Sequence, residues 1–256
     1  MLSVGFIDYI NSYPLNGAFR LKKINPQAQL TFQVPSELNR MLRDNTLDAS
    51  FISLYEFVEG DYIPIGEFGI AAQDAILSVN LYIKNSLSSL HHAKVGVTSE
   101  SATSVQLLKI LCRHFWNVSP HFEILNPALP LSDYEGILLI GDRALKNLTL
   151  PGFTTIDLAT EWYEKTGTPC VFAVFAAQKN LSLQKKEALA LFTERLKESL
   201  NWSIAHPEEI TMLASQKTGV SKEVIEKYYQ ICHFKLGSEH KNAIHLFKEL
   251  ANGILC

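Results

Sequence analysis

The sequence predicts an α/β chain folded as two lobes that clamp a ligand in the cleft between them. Three observations carry this. Short apolar runs alternate with segments of helical period along the first part of the chain. Residues 94–115, KVGVTSESATSVQLLKILCRHF, switch from a β-branched strand to a helix whose first turn holds Thr98, Ser99, Ser101, Thr103 and Ser104, and such strand-to-helix turns line the crevices of open α/β sheets. Chain crossings near residues 80–84 and 174–179 divide the chain into a discontinuous first lobe, residues 1–83 plus 177–256, and an inserted second lobe, residues 84–176.

In chain order, residues 3–7 read as a short apolar strand, and DYINSYP after it packs aromatic and polar groups into a loop. Tyr9 and Asn11 offer neutral donors to a ligand there, with an Asn11 side-chain turn bond as the alternative. Residues 30–34 give a second strand. Residues 35–43 give a helix with Ser36 as its cap and Leu38, Met41 and Leu42 on one face. The third strand, residues 47–53, delivers Ser53, Tyr55 and Glu56 to its C-terminal end. A glycine-bearing connection leads to a strand at 78–83 that carries Asn80, and residues 84–93 suit a hinge. Beyond the strand-to-helix switch, residues 135–142 form a buried strand ending in Gly141-Asp142, where Asp142 is either a cleft carboxylate or a helix cap. Residues 157–165 form an amphipathic helix, and 168–177, apolar throughout, a strand buried on both faces. Helices follow at 183–205, 207–216 and 221–229, each opened by a cap or a proline, with a last one at 239–251.

Length and composition bound the function. At 256 residues with a formal charge of −3 and no long basic run, the chain has no electrostatic footprint for nucleic acid. Cys112, Cys170, Cys232 and Cys256 form no CxxC pair, which suits reduced thiols better than a disulfide frame or a zinc site. The N-terminus lacks the features of a secretory signal and no segment is apolar enough to span a bilayer, so a cytoplasmic location without a membrane partner is expected.

The chemistry is narrowed by what the motifs exclude. His91 and His92 are adjacent, His240 and His245 are five apart, and no HExxH completes either pair, so no metal is expected. GxSxG and GxGxxG are absent, which speaks against a serine hydrolase and against nicotinamide or flavin; no cofactor is expected. What remains is a cleft of Asn, Ser, Thr, Tyr and backbone amides, suited to organic acids. Hydroxyls at a helix start, with its free N–H groups and the positive end of its dipole, hold a carboxylate. Ser101, Thr103 and Ser104 are the candidates for that cradle, and Tyr9, Asn11, Ser53, Asn80 and Gly141 for the rest of the site.

The blocks IDYINSYPL, ISLYEF, SVNL, SATSVQLL, IGDRAL and DLATEWYEKTGTPCVFAVFA occur in this order up to about residue 177. Together they resemble the menaquinone-biosynthesis family of the futalosine pathway, in its chorismate dehydratase branch. The resemblance implies a periplasmic-binding-protein-like (type II) two-lobe fold and cofactor-free conversion of chorismate to 3-[(1-carboxyvinyl)oxy]benzoate and water. It further implies C3 deprotonation and loss of the C4 hydroxyl, with Asn11 and Asp142 as candidate catalytic residues and the substrate's own enolpyruvyl carboxylate as a candidate base. The sister 1,4-dihydroxy-6-naphthoate synthase has a His-Glu pair where this chain has Gly141-Asp142. Phe175 departs from the family's more usual Trp, which puts the shape of the cleft wall in question. A solute-binding protein or a ligand sensor of the same fold is the alternative from another class.

Overall fold

The computed structural model describes residues 1–126 and 128–253; Cys256 lies outside them. Three parallel strands start the first sheet: β1 (Ser3–Ile7), β2 (Gln29–Gln33) and β3 (Ala49–Ser53), with helices α1 (Tyr13–Arg20) and α2 (Pro35–Arg43) between them and α3 (Leu54–Glu59) after them. β4 (Tyr62–Ala72) follows, and the chain then crosses to a second sheet through β5 (Val79–Ile83). That sheet adds β6 (Lys94–Val97), α4 (Ala102–Ile110), β7 (His121–Ile124), β8 (Gly136–Ile140), α5 (Gly141–Lys146), β9 (Thr154–Asp157) and α6 (Leu158–Thr166). β10 (Cys170–Gln178) returns the chain to the first sheet. The rest is α7 (Leu183–Ala205), α8 (Pro207–Thr218), α9 (Lys222–Ile231), β11 (Cys232–Lys235) and α10 (Ser238–Asn252).

The strand orders, β11-β4-β10-β3-β1-β2 and β7-β6-β8-β5-β9, follow one plan. Each sheet has a parallel triplet (β2-β1-β3 and β7-β6-β8). Next to it lies an antiparallel strand, β10 or β5, which is the strand by which the chain enters that sheet. The C-terminal ends of β1, β3, β6 and β8 therefore all carry loops into the region between the sheets, where such folds bind ligands.

The chain changes sheets at residues 73–78 and 167–169, earlier than the crossings expected near 80–84 and 174–179. β5 belongs wholly to the second sheet and β10 wholly to the first. An apolar strand buried on both faces has the same composition in either sheet, so sequence alone misassigns it. The glycine-bearing connection after residue 58 is in fact β4. Pro64 and Gly66 sit near the irregular register of β4 on β10, which is where a strand tolerates them. Gly69 is needed for closeness, since a Cβ there would lie 2.4 Å from Leu236 Cδ1 and 2.6 Å from the Ala173 carbonyl oxygen.

One hydrophobic core lies wholly within the first lobe. Phe6, Phe51, Phe175 and Phe192 are fully buried there, with Phe51 stacked on Phe175 at 4.8 Å between centroids. Phe175 is thus a core residue and forms no part of the cleft wall. A second core runs through both lobes, from Ile10 and Leu54 to Leu81, Leu107 and Ile140. No helix among the described residues is long and apolar enough to cross a membrane.

At the start of α10, His240 is 3% exposed and its Nδ1 accepts the Gly237 N–H at 3.1 Å, which leaves the ring proton on Nε2, 3.3 Å from His233 Nδ1. Glu239 stands close enough to complete a three-residue group of metal-ligand type. Binding an ion through Nε2 would need that proton removed while Nδ1 stays committed to the helix start. Burial depresses the His240 pKa, Glu239 opposing and His233 adding to the effect.

Two predictions follow from the packing. Phe175→Ala should lower stability by about 3–5 kcal/mol, the range for removing a buried Phe, read as a lower urea midpoint with an unchanged slope. Because His240 takes up protons less readily folded than unfolded, its contribution is complete above the unfolded pKa and lost as the pH falls from there through the depressed folded value. Unfolding free energy should therefore drop between pH 7.5 and 5.5. His240→Asn, which keeps an acceptor near the Nδ1 position, should flatten that drop, and an equally steep profile in the variant would refute the assignment.

Candidate functional site

The loop after β1 is pinned before it reaches the cleft. Asp8 pairs with Arg20 and Lys217 at 2.8 and 2.9 Å, and Lys217 also donates to the Asp8 carbonyl at 2.6 Å. Burial alone would raise the Asp8 pKa, but these two cations outweigh it and hold the carboxyl below its usual value. Tyr229 donates to the Ile10 carbonyl at 3.0 Å from α9. Tyr9, Ile10 and Asn11 are thereby presented to the second lobe on a fixed backbone.

Between the sheets lies a small cavity of about 40 Å³. Tyr9, Asn11, Ser53, Ser101, Ser104 and Gly141 all line it, so most of the expected site residues meet there. Ser78, at the end of the crossing segment, lines it as well and was not among the expected residues. The walls are completed by apolar groups that include Ile7, Phe172 and Ala173. Asn11 Oδ1 is buried and has no hydrogen-bond partner. Ser101 caps α4, its Oγ accepting the Ser104 N–H at 3.2 Å, and the two hydroxyls lie 3.0 Å apart. The N-terminus of α4 therefore opens onto the cavity.

Three of the expected residues have other tasks. Asn80 donates from Nδ2 to the Leu77 carbonyl at 2.8 Å and lies 3.4 Å from the Tyr82 hydroxyl. Thr103 Oγ1 accepts the Tyr55 N–H at 3.0 Å. Asp142 is neither a cavity-lining carboxylate nor a helix cap: its Oδ1 accepts the Ile10 N–H at 2.9 Å across the cleft. Burial raises its pKa, against the opposing pull of that N–H and of Lys217.

The Thr103 and Asp142 contacts hold the lobes together. Ile10 to Asp142 and Tyr55 to Thr103 are joined by two more interlobe bonds, from Ser36 N–H to the Glu100 carbonyl at 3.0 Å and from the Tyr9 hydroxyl to Glu100 Oε2 at 2.6 Å. Tyr9 also lies flat against Gly141, where φ is +56° and a Cβ would stand 2.9 Å from Tyr9 Cδ2, so glycine is required both by conformation and by contact. Burial, followed by the bond to Glu100, drives the Tyr9 pKa far up and keeps the phenol neutral. Tyr9 also lines a neighbouring pocket of about 510 Å³, with Thr98, Ser99, Glu100, Asn126, Arg143 and apolar residues.

If these bonds latch the clamp, removing one should shift the lobes towards the open form. A hydrogen bond to a charged group contributes about 1.5–3 kcal/mol net, roughly ten- to a hundredfold in an equilibrium. Tyr9→Phe and Asp142→Ala together should increase the radius of gyration in small-angle scattering and speed hydrogen exchange at the Ile10 amide. Unchanged values for both would rule the latch out.

A family model described as menaquinone biosynthesis matches residues 2–252. The chorismate dehydratase of Thermus thermophilus is 29% identical over 265 residues, covering 96% of this chain and 93% of that protein. The chorismate dehydratase of Campylobacter jejuni is 31% identical over 250 residues, covering 95% and 94%. Among solved structures, a protein from Archaeoglobus fulgidus superposes with a TM-score of 0.79 at 16% identity, covering 99% of this chain and 97% of that one. The alkanesulfonate-binding protein of Xanthomonas axonopodis pv. citri, bound to MOPS, gives 0.69 at 16%, covering 98% and 92%. At these identities the structural likeness is one of fold, and it is the two-lobe periplasmic-binding-protein-like (type II) fold.

Proposed function

The chain belongs to the menaquinone-biosynthesis family, and on that footing we propose that it is a hydro-lyase that dehydrates chorismate to 3-[(1-carboxyvinyl)oxy]benzoate. The observation that carries the reading is the make-up of the cavity. Among its described lining residues there is no Asp, Glu, His, Lys or Arg, while hydroxyls, the Asn11 amide and the start of α4 converge on it. Ionised chorismate presents two carboxylates and one hydrogen-bond donor, the C4 hydroxyl. Ser101, Ser104 and the first-turn amides of α4 receive the ring carboxylate, since a helix start binds an anion without a cation. Asn11 Oδ1, buried and unpartnered, accepts from the C4 hydroxyl.

The C3 proton passes to the substrate's enolpyruvyl carboxylate. The electrons of the C3–H bond enter the conjugated diene and the ring carboxylate, the C4–O bond breaks, and the departing hydroxyl takes up the proton as water, leaving an aromatic ring. A protein carboxylate beside this dianion would add like charge, and the carboxylates of Asp142 and Glu56 are committed elsewhere. Asp142 holds Ile10, and Glu56 is bound to Arg43 and to the Tyr62 hydroxyl. The protein's share is orientation and stabilisation of the charge that grows on the ring carboxylate. A cavity of about 40 Å³ has room for about one water, so substrate enters an opened clamp and product leaves after it reopens.

The test is to incubate the protein with chorismate, without added metal or cofactor, and follow loss of the diene absorbance with mass detection of a product lighter by one water. Conversion is expected, and Asn11→Ala should reduce kcat by about 10²-fold, the scale of a lost hydrogen bond to a reacting oxygen. Chorismate that binds but is returned unchanged would identify a receptor, and consumption of a cyclic futalosine derivative instead would identify the sister synthase.

A further inference from the structure

Ser53 closes β3 and Ser78 immediately precedes β5, and both hydroxyls line the cavity. Each is held from behind by a buried side chain. Ser53 Oγ accepts Asn39 Nδ2–H at 2.8 Å and Glu56 N–H at 3.3 Å. The Asn39 amide has one orientation, because its Oδ1 accepts the Ser53 N–H at 3.0 Å. With both lone pairs occupied, the Ser53 hydroxyl is left with its proton to give.

Ser78 Oγ lies 2.8 Å from the hydroxyl of Tyr228, which is fully buried. Burial drives the Tyr228 pKa far up, so the phenol keeps its proton and must place it. Cys232, Asp142 and Tyr229 also act on the phenol; of these the Cys232 thiol is in hydrogen-bond contact with it, and a thiol is a weak acceptor. Either oxygen of the 2.8 Å pair can donate; the hydroxyl oxygen of Ser78 is the stronger acceptor of the two, and with the phenol proton placed there the Ser78 proton is left for the cavity.

We propose that Asn39 and Tyr228 are positioning residues for the reaction: they occupy lone pairs of Ser53 and Ser78 from behind and so set both hydroxyls as hydrogen-bond donors to the oxygens of the bound dicarboxylate. A free hydroxyl meets an anion with proton or lone pair according to how it rotates. One already polarised by a buried donor meets it with the proton, and no reorientation is required as charge develops. The identity of the dicarboxylate rests on the function proposed above, whereas the orientation of the hydroxyls does not.

Two measurements test this separately. A neutron structure of the deuterium-exchanged protein shows the hydroxyls directly: deuterons on Ser53 and Ser78 directed into the cavity are expected, and deuterons directed at Asn39 or Tyr228 overturn the proposal whatever the substrate is. Kinetics then read the consequence. Asn39→Asp has nearly the same shape but replaces the donor by an acceptor, and it should lower kcat/KM for chorismate by about tenfold or more. In a Ser53→Ala background it should cost nothing further, and Tyr228→Phe should likewise lose its effect in Ser78→Ala. Losses that multiply independently in these double-mutant cycles would mean that the two residues act on the fold rather than on the serines. If the wild-type protein leaves chorismate unconverted, the proposed function fails and the neutron map alone decides the orientation.

Discussion

The placement of the cleft depends on how the chain is gripped where it first passes between the sheets. Leu77 has φ of +61°, a left-handed conformation that costs a branched residue on the order of 1–3 kcal/mol. The Asp157 carboxylate compensates. One oxygen accepts the N–H groups of Ile76 and Leu77 at 2.9 and 2.6 Å, and the other caps α6 through Ala159 and Thr160 at 2.9 and 3.3 Å. Asn80 holds the Leu77 carbonyl, the Gly141 N–H holds the Ser78 carbonyl at 2.8 Å, and Tyr228 meets the Ser78 hydroxyl. Because α6 leads into the second crossing, a single buried carboxylate joins both passages of the chain. Ser78 comes out of this knot facing the cavity.

Charge is arranged around the site and kept out of it. Arg20 and Lys217 fix the Asn11 loop through Asp8, and Arg43 is paired with Glu56 beyond the cavity lining. A cation in the cavity would bind the two carboxylates of the ground state about as firmly as those of the transition state, and uniform binding of that kind does not raise kcat. Amides and hydroxyls at a helix start respond more selectively, gaining as charge accumulates on the ring carboxylate.

Strands β1, β2, β3, β6 and β8 and most helices are legible in the sequence because apolar strand runs and capped helix starts announce themselves locally. Elements whose signal is non-local are not. β4 is interrupted by Pro64, Gly66 and Gly69, the last of them required by Leu236 and Ala173 far along the chain, while β7 and β9 are short edge strands. The site divides in the same way. Tyr9, Asn11, Ser53, Ser101, Ser104 and Gly141 stand at strand ends or at a helix start, and position alone marks them. Thr103 and Asp142 have the right chemistry but are turned to backbone partners on the other lobe, which no spacing reveals, and Asn80 is turned to the Leu77 carbonyl three residues before it. Ser78 had one signal, a polar residue opening an apolar strand. Asn39 and Tyr228 had none, since each reads as one more residue on an amphipathic helix.

Hydrogen bonds between the lobes beside the cleft bear on how a ligand clamp becomes an enzyme. A receptor closes because its ligand bridges the lobes, and the energy of closure is drawn from ligand contacts. Here Ile10, Tyr55, Ser36 and Tyr9 bond to protein groups of the second lobe, so closure is supported without the substrate. Binding energy is then left for interactions that strengthen as the reaction proceeds. The same bonds must break before product can leave. Reopening is thus a step separate from the chemistry, as lid motions are in many enzymes.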